Sequence, residues 1–128
     1  MASPAEVIAR REREREELLA RARAYVESLS GRVPVVAAAV VGSVARGDFN
    51  VWSDVDVVVV AEELPERTPD RAELLSRHAP ARVQPVGFRL DEFDAALRKG
   101  NPLVREACEA GVVLIGGDYF RQRRRSAS

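Results

Sequence analysis

Residues 40–60 read VVGSVARGDFNVWSDVDVVVV. The stretch begins at the end of an apolar run, breaks at Gly42-Ser43 and crosses a short polar connection. It closes on Asp54-Val55-Asp56 and four valines. That order spells strand, tight turn, strand. Side chains alternate along a strand, so Asp54 and Asp56 face one way and Val55 the other. Their Cα atoms stand roughly 6.6 Å apart. Two carboxylates so placed can converge on hard divalent cations, which sit about 3.5–4 Å apart in two-metal phosphoryl-transfer sites. Val57–Val60 is uniformly apolar and β-branched, the pattern of a central strand buried on both faces.

Upstream, the run Val35–Val41 predicts the first strand, and Gly42 follows where the chain must turn sharply and φ can become positive. Ser43 offers a hydroxyl and a backbone N–H. Arg46, one helical turn on, adds a charged donor fork suited to a phosphate. The competing reading of the Asp pair is a strand-entry turn whose acids cap backbone N–H groups. The Gly-Ser-x-x-Arg segment before it favours a metal site. Ser53 reads as a local cap of the turn. Phe49 and Trp52 flank that turn and suit a base, a partner surface or the core equally.

Gly42-Ser43-x-x-Arg46-Gly47 followed by Ser53-Asp54-x-Asp56 resembles the signature of nucleotidyltransferases related to DNA polymerase β. The short chain is most similar to the minimal members, which are often paired with HEPN proteins. Fainter likeness continues through Asn101-Pro102-Leu103 to the last predicted strand. The resemblance implies NTP binding, ATP above all, through Gly42, Ser43 and Arg46. It implies Mg²⁺ or Mn²⁺ on Asp54 and Asp56, with transfer of NMP to a hydroxyl. The expected acceptor is a HEPN-type partner in an antitoxin-like pairing, and a homodimer is a further possibility. The resemblance also implies a third acid on a neighbouring strand, but the position that aligns is Gln84. An amide oxygen brings no charge and cannot act as a base. Two readings therefore stay open: an active metal-dependent transferase, and a nucleotide-binding regulatory subunit of weak activity.

Composition bounds the rest. The chain has 128 residues, enough for one modest core, and 46% are hydrophobic, which argues against disorder. Twenty basic and 20 acidic residues cancel, so no global charge draws it to nucleic acid or membrane. No apolar run nears the ~20 residues of a membrane span. A single cysteine, Cys108, allows no internal disulfide and suits a cytoplasmic setting. His78 is the sole histidine, so no histidine metal cluster exists.

The expected fold is α/β (α+β): a small mixed sheet with helices mainly on one side, forming one domain over residues 1–120. Residues 4–30 predict a long helix, with Ser3 as N-cap and Pro4 in the first turn. Arg10–Glu17 has no apolar face and is expected to project into solvent or toward a partner. Leu18, Ala22, Tyr25, Val26 and Leu29 form a stripe for the sheet. Further on, the sequence predicts a helix over Pro69–His78, a strand over Arg82–Phe88 and a helix over Asp91–Lys99 capped by Asp91. A helix to Ala110 and a strand over Val112–Ile115 follow. Pro85 argues for an edge position or a bulge. Residues 121–128 read as a flexible basic tail.

Overall fold

The structure, a computed structural model, describes residues 1–127. Helix α1 (Pro4–Ser30) leads into β1 (Val35–Val41), the single-turn α2 (Ser43–Arg46) and β2 (Val55–Ala61). Then come α3 (Thr68–Ser76), β3 (Val83–Arg89), α4 (Leu90–Arg98), α5 (Pro102–Glu109), β4 (Val112–Ile115) and α6 (Gly117–Ala127). The sheet order is β3-β2-β1-β4. Strand β1 runs antiparallel to β2 and β4, while β2 and β3 are parallel. This is the expected mixed sheet. Pro85, which has no N–H to donate, lies on edge strand β3.

The helices cover both faces of the sheet rather than mainly one. On one face α1, α2 and α3 bury Leu18, Tyr25, Leu29, Val44 and Leu75 against Ala38, Val40, Val57 and Val59. On the other, α4, α5 and α6 bury Phe93, Val104, Ala107 and Phe120 against Ala37, Ala39, Val58 and Val60. The two sets alternate along β1 and β2, as the pleat requires. A run with no polar position needs two apolar covers, and Val57–Val60 is such a run: each is 0% exposed. Burying a side chain of this kind is worth about 1.5–3 kcal/mol.

Helix ends follow local chemistry. The Ser3 Oγ accepts the Glu6 N–H at 3.2 Å, and the Asn101 Oδ1 accepts from Leu103 and Val104 at 2.9 and 3.2 Å. Asp91 does not cap α4. The helix starts one residue earlier, and Glu92 accepts the Arg89 N–H at 2.8 Å.

Two further expectations are corrected, one of them in part. The charged half of α1 is largely exposed as expected, with Glu12, Arg13, Glu16 and Glu17 in solvent, but it is also docked: Arg15 donates from Nε to the Val44 carbonyl and from Nη2 to the Ala45 carbonyl, each at 2.9 Å. Arg11 donates to the Phe49 carbonyl and lies over the Phe49 ring. Nor is the C-terminal segment a loose tail, because α6 runs through it. Phe120 is buried beside Phe93. Arg123 pairs with Asp94 at 2.6 Å and lies 3.4 Å over the Tyr119 ring centre. Ser128 lies outside the described residues.

Candidate active site

The β1–α2–β2 connection brings the sequence-marked residues together. Gly42 ends β1 with φ 79° and ψ −155°, a backbone conformation open essentially to glycine alone. Its missing side chain leaves space for the Asp56 carboxylate: a Cβ on Gly42 would stand 2.8 Å from Asp56 Oδ2. The pairing of Val41 with Asp56 across β1 and β2 fixes this approach. Gly47, at φ 88°, closes α2 by donating to the Ser43 carbonyl at 2.8 Å.

The loop before the acids is held by its own polar groups. Ser53 Oγ accepts the Asn50 N–H at 2.9 Å, and Asn50 Oδ1 accepts the Trp52 N–H at 2.8 Å. Ser53 thus serves the turn. Arg82 clamps the loop from the far side. Its guanidinium donates to the Ser53 carbonyl at 3.1 and 2.5 Å, and its own carbonyl accepts the Val55 N–H at 2.6 Å. Arg82 does so at φ 72°, an uncommon conformation for a side-chain-bearing residue. Phe49 is buried in the core, whereas Trp52 stays 87% exposed next to the acids.

Asp54 is exposed and sits one residue before β2; Asp56 is half-buried within it. Burial first, then the charges of Asp54 and Glu106, push the Asp56 carboxyl above the usual aspartate range, and Arg46 pulls the other way. Neither aspartate is held by a hydrogen bond or ion pair among the described residues. Two close, unsatisfied carboxylates fit a hard divalent cation, which Mg²⁺ takes through one or two carboxylates plus substrate phosphates and water. No group of three or more His, Cys, Asp or Glu among the described residues could hold a metal.

Gln84 stands at the position that the resemblance aligns with a third acid. It pairs in parallel register with Asp56, so both side chains leave the same face. The acid that does approach the turn is Glu106, on α5. Its carboxylate accepts the Gly42 N–H, and its Oε1 accepts from Arg46 Nη1 at 2.8 Å. Sequence reasoning missed Glu106. Its partners are 60 and 64 residues away, and nothing local sets it apart from any helix-surface glutamate.

With this geometry in place, the nucleotidyltransferase domain family matches the chain over residues 19–103. The chain belongs to this family. The matched region contains the Gly42 turn, both aspartates and Gln84, and it stops short of Glu106. A solved structure from Sulfolobus solfataricus, of a protein itself named only as a candidate nucleotidyltransferase, shares the fold with a TM-score of 0.62. Its sequence identity is 23%, over 80% of this chain and 84% of that one. No curated protein matches the sequence. Family membership makes the nucleotidyltransferase a transferase with an NTP as its substrate class. None of the described helices is long and apolar enough to cross a membrane.

Proposed function

We propose that this nucleotidyltransferase moves AMP from ATP to a hydroxyl group on a partner protein of the HEPN type. The observation that carries the reading is the Asp56 carboxylate lying against Gly42, with Asp54 beside it and Arg46 opposite. Asp54 and Asp56 hold Mg²⁺ or Mn²⁺. Gly42, Ser43 and Arg46 grip the β and γ phosphates. The acceptor oxygen bonds to the α-phosphorus, the bond to the bridging oxygen breaks, and pyrophosphate leaves. A bound cation offsets the negative charge that builds on the phosphoryl oxygens. The chain is too small to enclose a large acceptor alone. Val51 and Trp52, 66% and 87% exposed just before Asp54, suit a partner that completes the cleft.

Gln84 supports a second reading, a nucleotide-binding regulatory subunit of weak activity, because a neutral amide stands in register with Asp56. Calorimetry with Mg²⁺ and ATP, followed by labelled-ATP transfer to the partner, separates the two. Tight binding with label on the partner is expected; tight binding without transfer selects the regulatory subunit. Asp54→Asn with Asp56→Asn should abolish Mg²⁺-dependent ATP binding and leave the fold as stable or more so. Unchanged ATP affinity in that double variant would defeat the site.

A further inference from the structure

Glu106 occupies donors of two of the three residues assigned above to phosphate, Gly42 and Arg46. One carboxylate oxygen takes the Gly42 N–H and the other takes Arg46 Nη1 at 2.8 Å. Asp48 holds Arg46 only from the side, at Nε and 3.4 Å. Helix α5 presents Glu106 in a fixed position. Asn101 caps its start, and Val104, Ala107 and Cys108 anchor its other side in the core. The Glu106 side chain is 23% exposed. It faces the same corner as Asp54 and Asp56, and its charge adds to the repulsion felt by Asp56. A third carboxylate in an already acidic corner is unfavourable unless something holds it there, and the Gly42 amide and Arg46 do.

We propose that Glu106 is the resident anion of the triphosphate seat, displaced from Gly42 and Arg46 whenever a nucleotide binds. The inference rests on the nucleotide reading above and deepens it. A ligand phosphate must offer the Gly42 N–H and Arg46 a better acceptor than Glu106. It must also bring positive charge, because the released carboxylate stays near Asp54 and Asp56. Glu106 thereby selects for a polyphosphate that arrives with a divalent cation and against bare anions.

The test is calorimetric titration with inorganic tripolyphosphate, without divalent cation, into the full chain. The variants are Glu106→Ala, Glu106→Gln, and Glu106→Ala combined with Arg46→Ala. Glu106→Ala should bind about tenfold tighter than the unaltered protein, equivalent to about 1.4 kcal/mol. Glu106→Gln keeps the size and removes the charge, so it should show a smaller gain of the same sign. Adding Arg46→Ala should cancel the gain. Thermal melts show which variants are folded; if the alanine variant is not, the isosteric glutamine variant decides. Equal or weaker tripolyphosphate binding in a folded Glu106 variant overturns the proposal and leaves the nucleotide reading intact. A loss of Mg²⁺ affinity in Glu106→Ala also overturns it, by making Glu106 a metal ligand. If no form of the protein binds tripolyphosphate or Mg²⁺-ATP, the nucleotide reading falls and takes this inference with it.

Discussion

Asp56 and Val58 lie two residues apart on one face of β2, and the protein treats them in opposite ways. Val58 is 0% exposed, pairs with Ala39 and joins Val60, Phe93, Val104 and Phe120 in a closed apolar cluster. Asp56 lies against a strained glycine, beside two other acids, and no hydrogen bond among the described residues holds its carboxylate. The body of the strand is satisfied by the protein itself. Its entrance is left to be satisfied by something that brings positive charge. Stability and chemistry are thus adjacent on one strand but rest on different groups, and single substitutions should pull them apart.

The largest effect should come from Gly42→Ala. Its φ of 79° is unfavourable for alanine, and the new Cβ would press on Asp56 Oδ2. A loss of about 3 kcal/mol of stability is expected from the two together. The folded fraction should also lose Mg²⁺-dependent ATP binding, because Asp56 must move. Urea unfolding and calorimetry on the same sample would show both. Wild-type stability in this variant would mean that the turn can relax and is not strained.

Val58→Ala should do the reverse. It opens a small cavity in the α4–α6 face and should remove about 2 kcal/mol of stability. ATP affinity per folded molecule should stay within about twofold, a free-energy change well under 1 kcal/mol. If affinity fell in step with stability, the entrance and the body of β2 would not be separable.

Much of this contrast was legible in the sequence. The apolar runs gave β1 and β4 at their observed bounds because an uninterrupted apolar stretch has few alternatives to a buried strand. Proline and asparagine marked the helix starts through simple hydrogen-bond chemistry. The positive-φ turn at Gly42 and the strand register of the acid pair were legible because a glycine, a turn and alternating acids are all local. Three features were not. Arg11 and Arg15 dock on main-chain carbonyls, and carbonyls look alike at every position of a sequence. Hydrophobic periodicity sees Leu18–Leu29 and is blind to polar docking of this kind. Glu106 likewise finds a main-chain N–H across the fold. Helix α6 was hidden because its arginines read as solvated charge, while Tyr119 and Phe120 just before them do the anchoring.

Gln84→Glu sharpens the comparison at the entrance. The register with Asp56 places the new carboxylate on the same face. Mg²⁺ affinity should rise about tenfold, or about 1.4 kcal/mol. The melting temperature in chelator should fall, because a third like charge joins the pair. Higher Mg²⁺ affinity together with faster transfer would show that the missing acid limits the reaction. No gain in affinity would put the ion out of reach of position 84.

The smallest effect concerns protons and isolates Asp56 from everything around it. Burial, then Asp54 and Glu106, raise its folded pKa against the pull of Arg46, so the folded protein binds this proton more tightly than the unfolded chain does. The stability linked to that proton is fully present below the unfolded aspartate value of about 3.9 and is lost as pH rises through the folded value. At neutral pH the charged carboxylate therefore disfavours the fold, and Asp56→Asn should melt a few degrees higher. Acidification through the window above about 3.9 should shrink that difference. Glu92 works in the other direction. Partial burial alone would raise it, but the Arg89 N–H and Arg71 outweigh burial and lower it, so its contribution is lost on acidification. Comparing the two proteins at each pH cancels Glu92 and leaves Asp56. A melting difference that stayed constant with pH would mean that Asp56 is as free as an aspartate in water. Saturating Mg²⁺ should reverse the sign at neutral pH, because the cation stabilises the carboxylate form and the asparagine variant cannot respond to it.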